Sequence, residues 1–188
     1  MLRLWLVRHA ESVGNATGER GDTPLTARGE EQALALAPVL RIETIDVVYV
    51  SPLLRARQTA ERALPTLDVR VDDRVREFEP LSSLYVDPSG QTPAQLIATL
   101  SAMKRDSDTH EDGPAFVARV DDFLADLPAA GSVCVVSHFG VLRQIIGRML
   151  TFRDAPQVLD NGVAYRLDVG DDVNPSQLLR IAPDQDRE

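Results

Sequence analysis

A single cysteine, Cys134, stands in this chain of 188 residues, so no internal disulfide is possible. It lies in the run Val133-Cys134-Val135-Val136 and reads as a small buried hydrophobe. No apolar stretch approaches the roughly 20 residues that a membrane span needs. The N-terminal apolar run is short, is broken by Arg3 and Arg8, and lacks a small-residue cleavage site. It does not read as a secretory signal, and a cytoplasmic protein that binds no membrane is the expectation. Positive charge is also scarce: 20 Lys and Arg face 29 Asp and Glu, a formal net charge of −9. Nucleic-acid binding needs a basic face, so nucleic acid is not an expected partner. No His, Cys or Asp cluster has ligand spacing, so no metal or other cofactor is expected. The Asp pairs at 72–73, 121–122 and 171–172 read as solvated turn and helix charges.

Histidine is the last scarcity, with three in the chain. Two of them end apolar strands, His9 after Leu4-Trp5-Leu6-Val7-Arg8 and His138 after Val133-Cys134-Val135-Val136-Ser137. If both strands are parallel members of one sheet, both imidazoles sit at its carboxyl edge, where ligands of open α/β sheets bind. Arg8, beside His9, points to an anionic ligand such as phosphate.

Strands alternate with helices, so the expected fold is a single α/β domain over 1–188 with three α/β/α layers and a mainly parallel sheet. Leu2–Arg8 is the expected first strand. A loop follows to Pro24, then a helix within Leu25–Leu40, with Thr26 as N-cap and Pro38 bending or ending it early. Asp46–Val50 reads as a second strand, with Ser51 capping a helix to about Leu64 and Pro52 in its first turn. Val69–Val75 reads as the third strand. Residues 79–90 read as irregular, 93–105 as a helix and 106–113 as a polar loop. A helix is expected over Pro114–Leu127, a strand over Val133–Ser137 and a helix over Gly140–Leu150. Val163–Val169 and Gln177–Ile181 complete the sheet as an edge hairpin, and 183–188 is a polar tail. The insertion over 80–113, between the third and fourth strands, is a candidate lid over the carboxyl edge.

A neutral imidazole is a good nucleophile towards phosphorus, which suits His9. His138 precedes a helix N-terminus, where free N–H groups and the dipole favour an anion, and the Phe139 backbone N–H is a further donor there. Arg55 lies in the first turns of the helix after the second strand. Arg57 points about 200° round that helix from it, and spacing alone does not choose between them. Glu77 and Glu79 both follow the third strand, and in an extended segment both lie on one face.

Five blocks in order then carry a resemblance. Arg8-His9-Ala10-Glu11-Ser12, followed by Asn15, is the first. Pro24-Leu25-Thr26-Ala27-Arg28-Gly29 and Ser51-Pro52-Leu53-Leu54-Arg55-Ala56, with Thr59-Ala60, come next. Arg76-Glu77 and Ser137-His138-Phe139-Gly140-Val141-Leu142-Arg143 complete the set. Together, over Leu2 to about Leu150, they resemble the histidine phosphatase superfamily, or phosphoglycerate-mutase-like family, in its small phosphatase branch. The resemblance selects Arg55 over Arg57 and favours Glu77 over Glu79. It implies a metal-independent phosphomonoesterase acting on a small phosphorylated metabolite. His9 is the implied nucleophile and Glu77 the proton donor. Arg8, Asn15, Arg55 and His138 bind the phosphoryl oxygens.

The alternatives within and beyond that resemblance are a mutase and a non-catalytic phospho-ligand-binding module on the same fold. Three stretches depart from the family pattern. The loop from Asn15 to Asp22 lacks Gly-Trp and carries Arg20 and Asp22. Phe78-Glu79-Pro80-Leu81-Ser82-Ser83 replaces a Gly-x-Trp-Glu-Gly-like run. Thr109-His110-Glu111-Asp112-Gly113 stands where a Gly-Gly-Glu-Ser element is common. All three are expected on the substrate side, so the substrate and the oligomeric state stay open. The solvated-loop reading is preferred for His110 and Glu111.

Overall fold

Strand β1, Leu2–Arg8, is the centre of the molecule. Its residues alternate between two cores, as a strand buried on both faces requires. Leu4 and Leu6 pack on one side with Phe123, Leu142 and Ile146. Trp5 and Val7 pack on the other with Leu36, Leu40 and Ala60. In this computed structural model, residues 1–19, 21–42, 44–78, 111–150, 156, 159–170 and 176–181 are described. The helix expected at 93–105, most of the candidate lid, Glu79, His110, Arg20 and the tail lie outside them.

The other strands are β2 (Val47–Val50), β3 (Val69–Val71), β4 (Gly131–Ser137), β5 (Ala164–Asp168) and β6 (Gln177–Ile181). They form one six-stranded sheet in the order β3-β2-β4-β1-β5-β6. The first four in that order are mutually parallel, and β5 and β6 run antiparallel as the expected edge hairpin. The helices are α1 (Val13–Thr17), α2 (Ala27–Arg41), α3 (Leu54–Ala63), α4 (Gly113–Ala125) and α5 (Phe139–Met149). Helices α2 and α3 cover one face of the sheet, and α4 and α5 cover the other. None of the described helices is long and apolar enough to cross a membrane.

Four details differ from the sequence expectation. First, α2 continues past Pro38 to Arg41 and does not end early. Pro38 removes the bond to the Leu34 carbonyl, but both residues are exposed, where solvent can satisfy that carbonyl, while Ala33, Leu36, Ala37 and Leu40 stay buried. Second, β3 ends at Val71, and a 3₁₀ turn over Asp73–Val75 follows. The Asp72 side chain accepts from Arg74 N at 2.8 Å, an Asx turn that competes with the strand. Third, the loop after His9 contains α1, started by Ser12 and Asn15 capping each other. Fourth, α3 starts at Leu54 and Ser51 is not its cap. Asp22 takes that part from a distant loop, accepting from Leu54 N at 2.8 and 2.9 Å.

Gly29, in the first turn of α2, occupies a position with no room for a side chain. A Cβ there would stand 2.0 Å from the Glu11 carbonyl oxygen, a backbone atom that cannot swing away. Thr26 caps α2 through Gly29 N at 3.0 Å and donates to the Glu11 carboxylate at 2.8 Å. Gly29→Ala is therefore expected to cost about 1–3 kcal/mol, the usual range for overpacking. It should also lower activity, because Glu11 lies two residues from His9. Urea denaturation and a rate assay on the same preparation check both effects.

Candidate active site

Three parallel strands deliver their ends to one edge. Arg8 is in register with Ser137, and Val50 with Val136. The ladder continues one residue further, with His9 N donating to the Ser137 carbonyl at 2.9 Å and Ser51 N to the Val136 carbonyl at 3.0 Å. His9, His138 and Ser51 thus meet at the carboxyl edge. The two imidazole centroids are 5.0 Å apart.

His9 is buried, and its tautomer is fixed by its neighbours. Nδ1 lies 2.8 Å from the Ala10 carbonyl, which can only accept, so Nδ1 carries the proton. Arg55 Nε, which can only donate, points at Nε2 from 3.3 Å. Nε2 therefore presents its lone pair. Burial, reinforced by the charges of Arg55 and Arg8, holds the His9 pKa well below the ordinary 6.5. The ring is neutral and nucleophilic at neutral pH.

Arg55 is buried and Arg57 is exposed, so the structure separates the two arginines that spacing left open. Arg55 also reaches the Asp22 carboxylate at 3.4 Å. Arg8 donates to the Leu159 carbonyl at 2.5 Å, and its Cζ lies 5.8 Å from the Phe139 ring centroid. His138 is fully buried. Its Nε2 bonds Ser51 Oγ at 2.7 Å, and its Nδ1 has no partner among the described residues. Burial first, then Arg55, His9, Arg8 and Arg119, hold it neutral. Asn15 turns Oδ1 towards Ser12 N at 3.0 Å, Ser12 Oγ at 2.9 Å and Asn161 Nδ2 at 3.4 Å. With the oxygen so engaged, the amide nitrogen is the end left to donate.

Glu77 is buried at the start of α5. Its Oε1 accepts from Phe78 N at 2.9 Å and its Oε2 from Gly140 N at 3.4 Å. Burial raises its pKa above the ordinary 4.5, against the opposing pull of those two amides, Arg55 and Arg8. With Gly140 N taken by Glu77, the Phe139 and Val141 N–H groups are the other donors ahead of the first ladder bond, from Leu142 N to the His138 carbonyl. Glu111 is not an open loop residue. It forms an ion pair with Arg119, whose Nη2 also donates to the Glu77 carbonyl at 3.3 Å.

Several supports were not assigned from the sequence. Thr59 Oγ1 accepts from Ala10 N at 3.0 Å and donates to the Arg55 carbonyl at 2.7 Å, tying the loop after His9 to α3. The Asn161-Gly162 turn holds the backbone behind His9. Asn161 Nδ2 donates to the His9 carbonyl at 2.8 Å, and Gly162 N to the Arg8 and His9 carbonyls at 3.2 and 3.3 Å. Gly162 has φ +65°, a left-handed conformation that favours glycine. The Asn-Gly pair was a readable turn signal, but nothing local to it names His9 as its partner.

Residues 4–177 match the family model described as histidine phosphatase superfamily, branch 1. The chain belongs to that superfamily. It is 33% identical over 166 residues to the adenosylcobalamin/alpha-ribazole phosphatase of Salmonella typhimurium, covering 80% of each chain. It resembles the crystal structure of the alpha-ribazole phosphatase from Shigella flexneri with a TM-score of 0.70 at 30% identity, covering 96% of each chain. It also resembles that of a phosphoglycerate mutase from Thermus thermophilus with a TM-score of 0.66 at 30% identity, covering 97% of this chain and 99% of the other. This histidine phosphatase is therefore an enzyme of the phosphatase class. Its relatives include both hydrolases and mutases.

Two neutral buried imidazoles give a testable acid sensitivity. Their folded pKa values lie below the ordinary 6.5. The stability they contribute is therefore fully present above pH 6.5 and is lost as pH falls towards the folded values. Chemical denaturation from pH 7.5 downwards should show stability falling by up to about 1.4 kcal/mol per pH unit per histidine. A flat profile across that range would contradict the assignment of both rings as neutral.

Proposed function

We propose that this histidine phosphatase is a metal-independent phosphomonoesterase. It hydrolyses a small phosphorylated metabolite through a phosphohistidine on His9. The observation that carries the reading is the tautomer of His9, whose Nε2 lone pair faces the Arg55 guanidinium.

The phosphoryl group is held by Arg8, Arg55, the Asn15 amide, the Phe139 N–H and His138 Nδ1. For Nδ1 to donate, Nε2 must be the acceptor, and the Ser51 hydroxyl 2.7 Å away is able to donate to it. The Nε2 lone pair of His9 attacks phosphorus in line, and the bond to the leaving oxygen breaks. The Nδ1–H bond to the Ala10 carbonyl steadies the positive charge that grows on the ring. Protonated Glu77 passes its proton to the leaving oxygen. Water then attacks the phosphohistidine and loses its proton to the Glu77 carboxylate, and the P–N electron pair returns to Nε2. Guanidinium and imidazole groups supply the charge stabilisation at the equatorial oxygens.

Hydrolysis of para-nitrophenyl phosphate in excess chelator checks the metal-free reading. Turnover is expected to survive prolonged dialysis against chelator. Loss of turnover that returns on adding a divalent cation would overturn it.

A further inference from the structure

Arg143 is a buried guanidinium with no ion partner among the described residues. It is 7% exposed, and its Nη1 is buried with no hydrogen-bond partner among them. Arg62, Arg148 and Arg180, each about half exposed, are ion-paired with Glu30, Asp121 and Asp160. An uncompensated buried charge is costly, so a site that keeps one normally meets an anion there. Its guanidinium instead faces the Phe139 ring, whose centroid lies 5.8 Å from its Cζ. Arg8 lies at the same 5.8 Å from that ring. The two guanidinium carbons are thus no further apart than twice that distance. Both guanidinium groups therefore stand over the Phe139 ring, in the neighbourhood of the helix start that carries His138.

We infer that Arg143 forms a second anion subsite, which takes a carboxylate or second phosphate carried by the phosphate ester. This rests on the phosphatase reading of the His9 site. It narrows the substrate class to doubly anionic esters, with both cations over the Phe139 ring. Helix α5 builds both subsites: its opening residues serve the phosphoryl group, and Arg143, one turn on, serves the second anion.

The test measures kcat/KM on two matched pairs. One is para-carboxyphenyl phosphate against phenyl phosphate, and the other a hexose bisphosphate against the hexose monophosphate. The parent should prefer the doubly anionic member of at least one pair by about tenfold or more, the worth of one charged hydrogen bond. The pair that responds tells carboxylate from phosphate. Arg143→Met keeps the packing on Phe139 and should erase that preference, while Arg143→Lys should keep much of it. A purely structural Arg143 would lower both members of a pair together and leave the ratio unchanged. Absence of preference in the parent, or a ratio unchanged in Arg143→Met, would overturn the subsite. Should the parent hydrolyse none of the four esters, the phosphatase reading fails separately. The subsite is then judged by thermal stabilisation, with pyrophosphate expected to exceed phosphate in the parent and not in Arg143→Met. Equal stabilisation in the parent would overturn it.

Discussion

His9→Ala is expected to lower kcat by about 10⁴-fold or more while leaving the protein folded, since removal of a nucleophile costs the whole covalent route. The fold should survive because apolar side chains of β1, β4 and the helices build its main cores, and the substitution removes only a polar ring at the carboxyl edge of the sheet. The His9 backbone bonds to Ser137 and Asn161 do not depend on the ring. Phosphate should still bind, through Arg8, Arg55 and Asn15. Steady-state rates, a denaturation curve and phosphate titration of the variant check the three statements. Retention of more than a small fraction of parent turnover would remove His9 from the chemistry.

The second large effect belongs to Glu77, and it depends on the leaving group. With an alkyl phosphate the departing alkoxide needs a proton, and Glu77→Gln should lose about 10²–10⁴-fold, the usual contribution of a general acid. With para-nitrophenyl phosphate the leaving oxygen is a weak base, and the loss in the first chemical step should be much smaller. A loss of equal size on both esters would make Glu77 a binding or folding residue instead. The same substitution has a stability signature. Burial raises the folded pKa of Glu77, so the stability tied to its protonated form is present below 4.5 and is lost as pH rises through the folded value. Glu77→Gln should therefore be as stable as the parent or more so at neutral pH, with the advantage fading in acid. Denaturation at neutral and acid pH reads this directly.

The convergence of the candidate site residues was legible in the sequence because they mark local events. His9 and His138 each stop an apolar strand, and parallel pairing brings such stops to one edge. Arg8 and the phosphatase blocks carried the chemistry, and the family match over 4–177 bears out that resemblance. What was not legible joins distant segments. Asp22 accepts from Leu54 N at the start of α3, and Ser51, which accepts from Leu53 N at 3.3 Å, also bonds His138, 87 positions away. Asn161 reaches the His9 carbonyl across 152 positions. Polar residues of this kind satisfy whichever buried group the fold brings near, and spacing in sequence holds no record of that choice. The errors of local structure have local causes. An Asx turn at Asp72 cut β3 short, and the solvent-facing position of Pro38 let α2 continue.

The proposed mechanism passes through a phosphoryl group bonded to Nε2 of His9. Rapid quenching of the parent with a fast-leaving ester, followed by mass spectrometry of the peptide holding Arg8 and His9, tests this most directly. One acid-labile phosphoryl group on His9 that decays at the rate of turnover is expected. Absence of any phosphopeptide under conditions where turnover proceeds and the second step is slowed, or a phosphoryl group on another residue, would contradict it.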